Sequence, residues 1–85
     1  MNDEDIGYRD ADEPVQVSFV ADSLVVTLRD GRAISTPIAW YPRLARANRE
    51  QLEQVELGAW GLHWEALDED LSIRGMLLGR PVPQV

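Results

Sequence analysis

Cysteine and lysine are both missing from this 85-residue chain. Without cysteine there is no disulfide and no thiolate. Thiol nucleophiles and cysteine-built zinc sites are therefore excluded, and the pattern fits a cytoplasmic setting. Without lysine there is no Schiff base and no phosphate-gripping P-loop lysine. All eight basic residues are arginine, and histidine occurs once, at position 63. No apolar run approaches the roughly 20 residues of a membrane-spanning helix. The opening residues Met1-Asn2-Asp3-Glu4-Asp5 are acidic, unlike the apolar core of a secretory signal.

What is present fits one small domain. A chain this short buries only about 60% of its unfolded surface, so its core must be compact. Formal net charge is −7, but six acids against Arg9 put −5 of it in residues 1–13, leaving −2 on the rest. Residues 1–14 therefore read as an acidic disordered tail, residues 15–80 as a single domain, and residues 81–85, with Pro81 and Pro83, as a C-terminal tail. A nucleic-acid mimic would need its acids arrayed over the folded body, which is nearly balanced.

Alternation sets the N-terminal strands. Val15, Val17 and Phe19 alternate with Gln16 and Ser18, and Leu24, Val26 and Leu28 share one face of a second strand. A third strand covers Ala33 to Ile38. The Asp30-Gly31 turn allows two registers. A two-residue loop sets Leu28 against Ala33 and mixes the faces. A three-residue loop, with Gly31 left-handed and a bulge, sets Val26 against Ile34 and Leu24 against Thr36. A one-residue slip flips every side chain, so the second register is expected.

Pro42 suits the first position of a short helix through Arg46. Asn48 and Gln51 have the spacing of a capping box for a second helix ending by Gln54. Val55-Glu56-Leu57 and Leu62-His63-Trp64 read as one or two later strands. Asp68-Glu69-Asp70 reads as a solvated turn ahead of a last helix, Ile73 to Leu78, with Ser72 as its N-cap and Gly79 as its C-terminal cap. The expected fold class is α+β: an antiparallel sheet of three N-terminal strands plus these later strands, with short helices.

Candidate chemistry is sparse. His63 lies between Leu62 and Trp64, and the four serines lack a nucleophile-elbow pattern, so His63 reads as a packed strand residue. Asp68-Glu69-Asp70-Leu71-Ser72 begins like a calcium loop. However, Ile73 stands where the sharp turn needs Gly, and Gly79 stands where a bidentate Glu belongs. No metal site, cofactor or catalytic residue is assigned. Arg43, Arg46 and Arg49 form a short basic cluster that Glu50 and Glu53 can offset, and an acidic chain with so small a patch argues against direct nucleic-acid binding. Trp40 and Trp64 sit in apolar patterns. Trp60, between Gly58-Ala59 and Gly61, reads either as an exposed interface anchor or as a lid on the core.

The stretch Pro37-Ile38-Ala39-Trp40-Tyr41-Pro42-Arg43-Leu44, with Gly61-Leu62-His63-Trp64 and Leu67-Asp68-Glu69-Asp70-Leu71-Ser72-Ile73, resembles the bacterial family known as domain of unknown function 2442. The likeness covers about residues 15–80. It departs at Gly58-Ala59-Trp60-Gly61, where relatives are richer in glycine, and at Glu65, where they carry a proline. The resemblance implies a small α+β domain. Some relatives join it to a helix-turn-helix domain, and others stand alone beside a second small protein in an arrangement like a toxin–antitoxin pair. It carries over no catalytic residues.

These readings together lead to a non-enzymatic protein-binding module, antitoxin-like or regulatory, with Trp60, Arg43 and Arg46 as partner-binding residues. Its expected partner is another protein, with a homodimer left open and no membrane. Two alternatives stand beside it. One is a small hydrolase or metal-dependent enzyme centred on His63 and Asp68/Asp70. The other is an acidic inhibitor of a nucleic-acid-binding machine.

Overall fold

The structure, a computed structural model, describes residues 3–79. Its first half is an antiparallel sheet in the order β1-β2-β3, formed by Pro14–Val20, Ser23–Leu28 and Ala33–Pro37. The register is the one the apolar pattern demands: Val17 faces Val26, Phe19 faces Leu24, Val26 faces Ile34 and Leu24 faces Thr36. Gly31 has φ +95°, its N–H donates to the Leu28 carbonyl at 2.9 Å, and the Leu28 N–H donates to Arg32 at 2.8 Å. This is a type I turn closed by a glycine bulge, which only a residue at ease with positive φ forms without strain. The β1–β2 turn is tighter. Ala21 and Asp22 span it, and Ala21 carries φ +52°.

Two short helices follow, α1 at Pro42–Ala45 and α2 at Arg49–Glu53. Pro42 opens α1, where its missing N–H costs no bond. The capping box at α2 is complete: Asn48 Oδ1 accepts from the Gln51 N–H at 2.8 Å, and Gln51 Oε1 accepts from the Asn48 N–H at 3.0 Å. The second half is another antiparallel sheet, β4-β5-β6, formed by Glu56–Leu57, Gly61–Trp64 and Glu69–Ser72. Helix α3, Ile73–Leu77, closes the fold with Ser72 Oγ accepting from the Gly75 N–H. No described helix is long and apolar enough to cross a membrane.

The core lies between the sheets. Leu24, Val26 and Leu28 from β2 meet Trp64, Ile73, Leu44 and Tyr41, all essentially inaccessible to solvent. Each such aliphatic side chain contributes roughly 1.5–3 kcal/mol. The polar tips of Trp64 and Tyr41 are satisfied. Trp64 Nε1 donates to the Leu52 carbonyl at 2.9 Å, and Tyr41 Oη donates to Thr36 Oγ1 at 3.1 Å.

The fold class is α+β as expected, with two revisions inside it. Glu69–Ser72, read as turn and cap, is a third later strand: Asp70 pairs with His63 and Leu71 with Leu62. Leu71 supplies the buried anchor, but four residues are too few for alternation to announce a strand. The described part of the segment read as a disordered tail is folded onto the body. Residues 3–5 and 10–12 form single 3-10 turns, and Asp12 is 1% exposed. Its carboxylate takes the Gly7 N–H at 2.9 Å on one oxygen and the Arg32 guanidinium on the other. The segment holds because its acids find fixed donors, and the boundary at residues 14–15 is not an edge of the folded body. Residues 81–85, the expected C-terminal tail, lie outside the described residues.

Candidate functional site

Strand β5 and the turn before it place Trp60. The Trp60 carbonyl accepts the Ile73 N–H at 2.9 Å, which fixes its backbone to the start of α3. Its indole nevertheless stands 60% exposed, as the flanking glycines suggest. It meets the ring of Tyr8 edge to face, with centroids 5.9 Å apart, and the Arg74 guanidinium lies over Tyr8 at 5.6 Å. Tyr8 is itself 54% exposed. Trp60 is therefore not a lid on the core, but half of an exposed aromatic pair on a fixed backbone.

Sequence reasoning missed Tyr8 because it falls in the acidic run. What holds it in place is the close passage of Gly7 against α3, where a Cβ on Gly7 would lie 2.5 Å from the Arg74 Cα. Arg74 also donates to the Ile6 and Glu4 carbonyls at 3.0 and 3.2 Å. A glycine ahead of an aromatic residue was the one signal in the sequence, and it is a weak one.

Arg43 and Arg46 belong to a different group. With Gln51, Ala66 and Leu67 they line an open cleft of about 400 Å³ beside α1. Arg43 is partly committed: it donates to the Asp68 carbonyl and sits 4.0 Å from the Asp68 carboxylate. Arg46, at the end of α1, is exposed. Arg49 pairs with Glu53 at 3.7 Å, as the i, i+4 spacing suggests. The basic cluster is thus largely a solvated helix face, and its cleft shares no lining residue with the aromatic pair.

Of His63, Asp68 and Asp70, the structure brings His63 and Asp70 together and sets Asp68 apart. Asp70 stands across the ladder from His63, with Oδ1 2.6 Å from Nδ1. The hydrogen bond to Asp70 raises the His63 pKa above its ordinary value, with a further push from the charges of Asp70, Glu56 and Glu65. Asp68 instead occupies a left-handed turn with φ +51° and points at Arg43. Glu69 lies between them on the inner face, 6% exposed. Strand alternation sends neighbouring carboxylates to opposite faces. Among the described residues no three His, Cys, Asp or Glu side chains gather as a metal ion would require.

Comparison with known proteins adds kinship and no activity. A crystal structure of a protein of unknown function from Rhodospirillum rubrum is 32% identical, with a TM-score of 0.72 over 85% of this chain and 92% of that one. A solution structure of an uncharacterized protein from Chromobacterium violaceum is 25% identical, with a TM-score of 0.73 over 84% of this chain and 69% of that one. No curated protein matches. The family described as Protein of unknown function (DUF2442) matches residues 14–82, so the chain belongs to that family.

Proposed function

We propose that this domain is a non-enzymatic protein-binding module, antitoxin-like or regulatory, that engages another protein through Trp60. The observation that carries this reading is the exposed Trp60–Tyr8 pair on a hydrogen-bonded backbone. Tryptophan and tyrosine lose little conformational freedom on binding and dominate interface energetics. A fixed backbone lowers the ordering cost further. Arg43 and Arg46 would add a polar contact on a separate face. The test is affinity purification from the native host with wild type and Trp60→Ala in parallel. A specific partner held by wild type should bind the variant more weakly by about 2 kcal/mol or more, with the melting temperature unchanged. A melt lowered in step with lost binding would instead assign Trp60 to stability.

One contact favours a second reading, a small hydrolase. Asp70 holds His63 as an orienting acid holds a general base, leaving Nε2 for chemistry. His63→Ala that folds normally and leaves every phenotype of the wild type in place would end this reading. The acidic-inhibitor reading has lost ground, because Asp12 and Glu13 are engaged with Arg32 and Arg29 within the fold.

A further inference from the structure

Strand β1 is an edge of its sheet, and its own protections, Pro14 and one bulge, sit at its start. Natural edge strands are kept apart by charge, proline, bulges or a covering element. The opposite edge, β3, is shorter, ends in Pro37 and has α3 close by. Strand β1 runs seven residues without a charged side chain, and its bulge is confined to Pro14–Gln16. Val20, at its far end, is 60% exposed. Strand β4 passes nearby but does not join the β1 ladder.

The regular stretch Gln16–Val20 has outward-facing bonding groups at fixed positions. Val20 and Ser23 close the two-residue turn Ala21-Asp22, so they are a hydrogen-bonded pair. Counting back, Ser18 and Val25 are another such pair. Val17 and Phe19 occupy the alternate positions, where backbone N–H and C=O point away from β2. A shallow groove of about 280 Å³ opens beside these same two residues, floored by Leu52 and Val55 and bordered by Arg49 and Glu53.

We propose that β1 pairs antiparallel with β1 of a second copy about Ser18, joining two three-stranded sheets into one of six strands. The sequence is self-complementary under that two-fold. Val17 falls opposite Phe19 of the other copy, and Phe19 opposite its Val17, which matches the outward backbone groups at both positions. Gln16 falls opposite Val20, and Ser18 opposite Ser18, on the outer face. The seam holds no charge, so the −7 of each chain is not concentrated there. An isologous contact requires the reciprocity these pairs show. The proposal goes beyond Trp60 binding and does not depend on it.

Charge placed at the outer-face positions tests the register. Both Gln16 and Val20 are exposed, so substitution there leaves the core intact. Gln16→Lys with Val20→Lys sets two like charges opposite each other at each end of the seam. Gln16→Glu with Val20→Lys sets opposite charges there instead. Sedimentation equilibrium should show a wild-type dimer, about tenfold weaker association for the Lys/Lys variant, and recovery for the Glu/Lys variant. Circular dichroism melts confirm that all three are folded. A wild type that stays monomeric at high micromolar concentration overturns the proposal, including one that binds an unrelated extended peptide instead. Equal dimerisation of both folded variants overturns it too, as does equal loss in both.

Discussion

Two acidic stretches, residues 3–13 and 65–70, look alike in sequence, and each buries one carboxylate. In the first, Asp12 has a donor on each oxygen, the Gly7 N–H and the Arg32 guanidinium. In the second, Glu69 Oε1 takes only the N–H of Asp70 at 3.2 Å, and Oε2 meets no donor among the described residues. Burial pushes the Asp12 carboxyl up, but Arg32, with the N–H groups of Gly7 and Arg9, holds it below the ordinary carboxylate range. Equal burial therefore has unequal value. One acid fastens a segment to the body, and the other is tolerated because Leu71 beside it must be inside.

Replacing the two acids should separate them most clearly. Asp12→Ala leaves the Gly7 N–H and Arg32 without their acceptor, and should cost about 2 kcal/mol in denaturant unfolding. It should also release residues 3–11 to rapid amide exchange. Glu69→Leu removes a half-satisfied carboxylate and should change stability by less than about 1 kcal/mol, in either direction. A Glu69→Leu loss as large as that of Asp12→Ala would erase the contrast.

Acid and alkali should sharpen the same comparison. The folded-state pKa of Asp12 is depressed, so its contribution is complete above the unfolded value near 3.8 and disappears as pH falls through the lower folded value. The folded-state pKa of His63 is raised, so its bond to Asp70 contributes fully below the unfolded value of 6.5 and fades as pH rises through the folded one. Both partners of that pair are exposed, so this second effect should be the smallest. Urea titrations across pH, with Asp12→Asn and Asp70→Asn as references, should flatten the acid limb in the first variant and the neutral-to-alkaline limb in the second.

The first sheet was legible because its strands are five to seven residues long and its turn residues dictate register. The caps at Asn48 and Ser72 were legible for the same local reason. Strand β6 was not, since four residues with two acids carry no readable alternation and pair only because β5 is already there. Nor was the folding of residues 3–13, which depends on Arg32 and Arg74, far along the chain. The exposure of Trp60 could be read from its glycine neighbours, whereas its contact with Tyr8 needed the tertiary structure. The expectation for Arg43 missed that Asp68 turns back to meet it.

The Gly7–Arg74 crossing sets an order of events. The backbone carbonyls of Glu4 and Ile6 bond a side chain 70 and 68 residues away. Closing so long a loop early would cost chain entropy with little in return. The hairpins β1–β2–β3 can close on local contacts alone. Ala11 to Glu13 can join the β2–β3 turn with those hairpins, but the stretch from Glu4 to Gly7 can dock only after α3 has been made and packed, so the earliest residues in sequence are among the last to find their place.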